Sequence, residues 1–314
     1  MRRRAVLLLP FAALPCAADD LAPWPEPGLR MVVAYPPGGV SDEITRVLAH
    51  KLAARLGVPV QVEHRPGAGG AVAMRMLSRA APDGRTLCFS AITALTLVPH
   101  VAAVSYDPLR DIAPVAGVMH TPVLVVGTPA LPARSYTQML EAARSRPSAL
   151  RWATSGVGTT GHLVLEQVRR ATGVEIVHIP YKGGAQQLND ALAGQFELLS
   201  TNVGPLQLQY VAQGRLAALA VGSPMRLGVL PGVPTLAEVG AERANLVSLF
   251  GVFAPAATPP PVIARLNAEI NAALREEDLR DRLAASSNEP ASGTAAQLAR
   301  RIEREWAANR RLLR

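Results

Sequence analysis

Short β-forming runs alternate with helical patterns along most of the chain, and turns rich in Gly and Pro join them. The run LRMVVAY (29–35) stops at Pro-Pro-Gly-Gly, after which apolar residues recur at helical spacing as far as Gly57. PVQVE (59–63) and TLCFSA (86–91) predict two more strands, with a helix at 72–81 between them. Strands separated by helices are typical of an α/β fold with a mostly parallel sheet flanked by helices.

The same alternation continues to the C-terminus, so the 314 residues are enough for two lobes. Pro-rich joints near 122–132 and 223–234 predict one lobe of residues 24–122 with 224–314, and a second lobe of 123–223. The chain would then cross between the lobes twice, as in a hinged clamp. The later strands are predicted at VLVVG (123–127), LRWATS (150–155), EIVHIP (175–180), FELLSTN (196–202), LAALAVGS (216–223) and VSLFGVFAP (247–255), before two amphipathic helices at 260–276 and 294–313.

The N-terminus has the arrangement of a secretory signal peptide: three arginines, an apolar run, then small residues. We expect residues 1–18 to be removed by cleavage after Ala18, which predicts an exported protein. Lipidation at Cys16 is an alternative, although Pro15 is a poor residue before a lipidated cysteine. Cys88, in a strand that reads as buried, is then left without a disulfide partner.

Composition and motifs argue against several classes of function. The formal net charge of +8 falls to +5 without the signal peptide, and its densest part is the C-terminal helix, which we interpret as a solvated face and not as a nucleic-acid site. No G-x-S-x-G or Walker motif occurs, RPGAGGAV has Val72 where a dinucleotide-binding loop needs its last glycine, and the histidines show no metal-ligand spacing. We therefore expect no enzyme activity, no cofactor and no metal.

Gly-rich turns that open a helix recur at strand ends, notably at 36–42 and 153–162. Ligands bind at the carboxyl ends of strands in such sheets, and free N–H groups at a helix N-terminus favour an anion. Two turns, one in each lobe, could close on the same carboxylate. Ser41 or Asp42, and Thr159 or Thr160, could instead be simple N-caps. His162 fits packing better than ligand contact, whereas Tyr181 is the better candidate to face the cleft.

Nine phrases, spread in order along nearly the whole chain, carry a family resemblance. They are YPPGGVSD (35–42), VEHRPGAGGA (62–71), RAAPDGRTL (79–87), YDPLRDIAPV (106–115), SGVGTTGHL (155–163), IVHIPYKGGAQQLNDALAGQ (176–195), LPGVPTLAEVG (230–240), GVFAPAATP (251–259) and IARLNAEINAAL (263–274). Together they resemble the periplasmic solute-binding receptors of tripartite tricarboxylate transporters, the Bug family. Two positions depart from the usual pattern of that family: His64 stands where members usually have Asn, and Thr201 where Asp is common.

The resemblance implies a two-lobed periplasmic binding protein of type II-like fold, with the ligand cleft between the lobes. It implies a monomer that captures a small organic carboxylate and docks transiently on membrane transporter subunits. Two alternatives remain: a subunit that docks on a sensor-kinase ectodomain, and a secreted hydrolase using Ser155 or Ser41 with His162. The expected ligand contacts are Pro37, Gly38, Gly39, Ser41 and Asp42 in one loop, Ser155, Gly158, Thr159, Thr160 and His162 in the other, Thr93 and Asn202 near the far end of the ligand, and Tyr181 facing the cleft.

Overall fold

The computed structural model describes residues 24–25 and 27–312. The expected signal peptide, with its cleavage site and Cys16, lies outside the described residues. Within them, no helix is both long enough and apolar enough to cross a membrane.

The strands form two mixed sheets joined by one long strand, β4. In the first sheet the order is β2-β1-β3-β9-β4-β10, and in the second it is β8-β4-β7-β5-β6. The predicted parallel pairing holds for β1 with β2 and β3, and for β5 with β6 and β7, whereas β4 and β9 are antiparallel to their neighbours. The strands are β1 (Leu29–Val33), β2 (Val60–His64), β3 (Thr86–Ala91), β4 (Ile112–Gly127), β5 (Arg151–Thr154), β6 (Val177–Pro180), β7 (Leu198–Asn202), β8 (Ala217–Gly222), β9 (Val247–Pro255) and β10 (Glu289–Pro290).

Helices cover both sheets. The long helices α1, α9 and α11 pack on the first sheet or on each other, and α6 and α7 pack on β7 of the second. The helices are α1 (Val40–Leu56), α2 (Ala71–Ser78), α3 (Thr93–Thr96), α4 (Val98–Val101), α5 (Tyr136–Ser145), α6 (Thr160–Thr172), α7 (Gly184–Leu192), α8 (Pro205–Ala212), α9 (Pro260–Ala273), α10 (Glu277–Ala285) and α11 (Ala295–Leu312).

The chain passes between the sheets twice, through β4 and at the start of β9. Strand β4 pairs with β9 up to Pro122 and with β7 and β8 from Val123 onward. The proline does not break the strand: its carbonyl accepts a hydrogen bond from Val203 N (3.0 Å), and its missing N–H falls where β4 leaves β9. The expected joint at this position is therefore a change of pairing partner within one continuous strand.

The segment between β8 and β9 packs on the second sheet. The second lobe therefore extends beyond residue 223, where its boundary was expected. Leu227 packs in one apolar cluster of that sheet, and Leu236 and Ala244 pack in the other. Leu236 N also donates to Val221 O of β8 (2.9 Å). We therefore define the first lobe as the described residues up to 122 together with 247–312, and the second lobe as 123–246.

Candidate functional site

Three adjoining cavities lie between the lobes, with volumes of about 140, 40 and 20 Å³ from the surface inward. We call them the mouth, outer and inner cavities. The mouth and outer cavities share Gly39, Val40, Gly184 and Gln207. The outer and inner cavities share Tyr35, Ser155, Thr201, Asn202 and Phe250.

The first-lobe turn brings the N-terminus of α1 to the mouth and outer cavities. Gly39 is the N-cap of α1. The first N–H groups of a helix have no acceptor within the helix, and Gly39 has no side chain that could accept from them. Gly38 has φ +87°, a left-handed conformation that favours glycine. Ser41, which is buried, also lines the outer cavity. The prediction that Ser41 or Asp42 caps α1 is wrong, because the helix begins at Val40.

Asp42 has its own partners. Its carboxylate accepts a hydrogen bond from Gly38 N (2.9 Å) and contacts His64 Nε2 (2.7 Å) and Arg46 Nε (2.8 Å). Burial would raise the pKa of Asp42, but these three groups together hold it below its usual value. Asp42 lines only the mouth, where it fixes the turn that carries Gly39.

The second-lobe turn brings the N-terminus of α6 to the inner cavity. Thr159, one of the two predicted alternatives, is the N-cap of α6. Its hydroxyl accepts a hydrogen bond from His162 N (3.3 Å) and donates one to Gly156 O (2.8 Å). Thr159 and Thr160 line the inner cavity, and Ser155 lines both the inner and outer cavities.

Four predicted contacts do not line any of the three cavities. Pro37 is exposed, and Gly158 lies against the first lobe, where a Cβ would come within 2.7 Å of Val98 Cγ2. The Tyr181 hydroxyl instead donates to Asp190 Oδ2 (2.7 Å). His162 Nδ1 accepts from Gly158 N (3.3 Å), which makes the histidine a support for the turn.

His162 stacks on His178 with ring centroids 4.5 Å apart. Burial lowers the pKa of His162, and burial together with the neighbouring His162 and Arg169 lowers the pKa of His178 to about 4. Both rings are therefore neutral at pH 7, as the acceptor role of His162 Nδ1 requires. The hydrolase alternative needs His162 beside a serine hydroxyl, whereas this histidine is occupied by the turn backbone and a second ring.

Hydroxyl and amide groups line the inner end. Thr93 Oγ1 is buried there and has no hydrogen-bond partner among the described residues. Asn202 Oδ1 accepts from Ser248 Oγ (2.8 Å), and Thr201 Oγ1 accepts from Gln207 Nε2 (3.3 Å). A buried hydroxyl without a partner is costly in a folded protein, so Thr93 is placed to bind a polar group that enters the cavity.

Lining residues that were not predicted from the sequence include Tyr35, Gln207, Ser248 and Phe250. Tyr35 and Phe250 meet edge to face with centroids 5.8 Å apart. Burial raises the pKa of Tyr35 to about 12, so its hydroxyl stays neutral. Tyr35 follows β1 directly before Pro36 and could have been inferred from its place at a strand end. The other three reach the site only through tertiary packing.

The two lobes are in direct contact around the cavities. A Cβ on Gly69 of the first lobe would lie 2.5 Å from Val157 O of the second, and a Cβ on Gly183 would overlap Pro36. The cleft is therefore closed. Among the described residues, no group of three or more His, Cys, Asp or Glu side chains could hold a metal ion. The arrangement offers hydroxyls, amides and helix N-termini, which are groups that bind an anion.

Comparison with known proteins gives consistent relatives. The model of the tripartite tricarboxylate transporter family receptor matches residues 44–314. BugT of Bordetella pertussis (strain Tohama I) is 35% identical over 290 residues, which cover 91% of this chain and 87% of BugT.

Solved structures of similar proteins include two with bound dicarboxylates. Rpa4515 of R. palustris, solved with adipate, is 31% identical with a TM-score of 0.86, covering 91% of this chain and 95% of that one. MatC of Rhodopseudomonas palustris, solved with malate, is 26% identical with a TM-score of 0.85, covering 91% of this chain and 99% of that one.

Proposed function

The chain belongs to the tripartite tricarboxylate transporter receptor family, and we propose that it captures a small organic carboxylate between its lobes in the periplasm and delivers it to membrane transporter subunits. Members of this family are periplasmic solute-binding receptors. We also propose that residues 1–18 direct export and that the receptor acts as a monomer.

One observation carries the proposal: helix N-termini from both lobes line adjoining polar cavities, α1 at the outer cavity and α6 at the inner cavity. Helix α1 approaches from the first lobe, and α6 approaches from the second. Each supplies N–H groups without intrahelical acceptors and the positive end of a helix dipole. The buried Thr93 hydroxyl adds a third group that needs a partner. A carboxylate bound there would contact both lobes.

Contact with both lobes explains how binding would be coupled to delivery. A ligand that reaches α1 and α6 together only in the closed arrangement stabilises that arrangement. The membrane subunits could then distinguish the loaded receptor by its closed shape. The proposal involves binding and release, with no chemical step.

The test is a thermal-shift screen of the chain beginning at Asp19 against mono-, di- and tricarboxylates, with uncharged amides of the same acids as controls. A ligand that binds only the folded state at 100 times its Kd stabilises it by about 2.7 kcal/mol. We expect at least one carboxylate to raise the melting temperature while its amide does not. A screen in which no carboxylate raises it contradicts the proposal.

Substitution of Gly39 by Val provides a sharper test. Gly39 has extended backbone angles (φ −98°, ψ 171°), and a Cβ there would meet nothing within 4 Å, so Gly39→Val should fold normally. Its side chain would project where the mouth and outer cavities join, and we expect the Kd to rise more than tenfold. Gly232→Val is the matched control, since Gly232 is exposed and equally open. Unchanged affinity in Gly39→Val shows that this turn does not touch the ligand.

A further inference from the structure

A cavity larger than any of the three cleft cavities lies behind the cleft, at the point where the chain passes between the lobes. Its volume is about 590 Å³. One wall is the loop 223–228 of the second lobe, and the other is the segment 284–289 of the first lobe, with Pro122 and Val247 between them. We call this cavity the hinge groove. Within the described part of the chain, no residue lines both the hinge groove and any of the three cleft cavities.

The hinge groove and the cleft lie on opposite faces of the crossing strands. In β4, Pro122 lines the groove and the next residue, Val123, lines the inner cavity. In β9, Val247 lines the groove and Ser248 lines the inner cavity. Successive residues of a strand point to opposite faces, so both strands separate the two spaces.

A rotation about these strands must change the two spaces in opposite directions. Moving the lobes together at the cleft moves loop 223–228 away from segment 284–289, and opening the cleft brings them together. The structure has the lobes in contact at the cleft and the hinge groove wide. We propose that the hinge groove controls the affinity of the cleft: a group that fills it keeps the lobes closed, and an approach of its walls opens them. Because the regulated site is the proposed carboxylate site, this inference rests on the proposed function.

The lining indicates what kind of group would fill the groove. Met225 is 73% exposed at its edge, and Leu227 and Val247 add apolar surface. The Arg226 side chain is held by Glu238, with Nε 2.9 Å from Oε1.

The buried Asn288 side chain also lines the groove, and neither its Oδ1 nor its Nδ2 has a hydrogen-bond partner among the described residues. A compact, uncharged group with an apolar body and one hydrogen-bonding atom therefore fits best, because its burial desolvates no charge and gives Asn288 a partner.

An introduced tryptophan can serve as that group. Ala284 lines the groove near the end of α10, and the neighbouring Ala285 is exposed but does not line it. We expect Ala284→Trp to have a smaller radius of gyration than wild type in X-ray scattering without ligand, while Ala285→Trp matches wild type. Expansion of Ala284→Trp overturns the proposal.

A disulfide across the groove tests the opposite direction. A disulfide between cysteines introduced at Met225 and Ala284 would hold the two walls together, since it needs Cα atoms roughly 4.4–6.8 Å apart. The natural Cys88 is buried and will not compete. We expect the oxidised double variant to have a larger radius of gyration than its reduced form. This result is expected even if the ligand-free wild type is already closed, in which case Ala284→Trp would have no effect. Identical scattering of the two forms, or failure to oxidise combined with an inert Ala284→Trp, overturns the proposal.

Affinity gives a separate result. If Ala284→Trp raises the closed fraction from about one-tenth to about one-half, the Kd of a carboxylate found by thermal shift should fall about fivefold. The scattering experiments need no ligand, so they can succeed even where the carboxylate proposal fails. A carboxylate that binds wild type and Ala284→Trp equally, with a proven change in scattering, would show that closure and affinity are not coupled.

Discussion

At the scale of single residues, Asp42 shows how a predicted ligand contact can act indirectly. Its carboxylate holds Gly38 N, His64 and Arg46, and so fixes the turn that presents α1 to the cleft. We expect Asp42→Ala to raise the Kd for the ligand about tenfold, equivalent to about 1.4 kcal/mol, because the turn loses its anchor. Calorimetric titration of both proteins provides the measurement.

Asp83→Ala is the matched control for this substitution. Asp83 likewise has a lowered pKa, accepts from a backbone N–H (Arg85, 2.9 Å) and pairs with an arginine, but it does not line the cleft cavities. Asp83→Ala should lower the stability without changing the affinity for the ligand. Equal Kd values for Asp42→Ala and wild type would contradict the anchoring role.

The stabilising effect of Asp42 should depend on pH. Because the folded pKa of Asp42 is lowered, its stabilising effect is complete above about pH 4 and is lost as pH falls through the lowered value. The difference in melting temperature between wild type and Asp42→Asn should therefore shrink from pH 7 to pH 3.

The residue scale also shows what the sequence could reveal about the site. The positions of Gly39, Thr159 and Thr160 at turns between a strand and a helix could be predicted, because strand ends and helix starts are local patterns. Asp42 was predicted as a possible N-cap because an acidic residue near a helix start resembles one, whereas one of its actual partners, His64, lies on strand β2. Ser248 and Phe250 lie on β9, and only its pairing with β3 and β4 brings them to the cleft. No local signal could have identified them.

At the scale of elements, Ser200 of β7 fixes the start of α6. Its hydroxyl donates to Gly161 O (2.8 Å) and accepts from the buried Trp152 Nε1 (3.1 Å). Ser200→Ala leaves the indole N–H without an acceptor, which costs about 1–3 kcal/mol. We expect the melting temperature to fall by about 2–5 °C in calorimetry. Ser145→Ala, which removes an exposed hydroxyl on α5, should change it little. Similar melting temperatures for Ser200→Ala and Ser145→Ala would show that the Ser200 hydroxyl does not stabilise the fold.

Elements were predictable where periodicity was strong. The predicted strand at 86–91 coincides with β3, and the amphipathic pattern after residue 260 became α9. Helix α8 was missed because it is short and follows β7 directly, and α10 because its exposed face is mostly charged. The segment after β8 was assigned to the wrong lobe, since its packing on two second-lobe clusters depends on contacts far apart in sequence.

At the scale of the whole molecule, the fold gathers positive helix ends around the cleft. Helices α1, α6, α7 and α8 all begin at the cavities, through Val40, Thr160, Gly184 and Gln207 near their N-termini. Each helix end carries the equivalent of about half a positive charge. Among the described residues, no Asp, Glu, Lys, Arg or His side chain lines the outer or inner cavity. The electrostatics there come from the backbone.

This arrangement predicts discrimination against ligands that carry an ammonium group. An ammonium in the outer or inner cavity would face positive helix ends with no carboxylate to pair with, and an unpaired buried charge is costly. A hydroxyl at the same position could instead bond to Thr93 or Thr201. We expect a hydroxy acid to bind at least tenfold more tightly than the amino acid of the same carbon skeleton, for example malate against aspartate or lactate against alanine, in calorimetric titrations at pH 7. Tighter binding of the amino acid in such a pair would mean that the ligand's second polar group lies at the mouth, near Asp42, and not in the inner cavity.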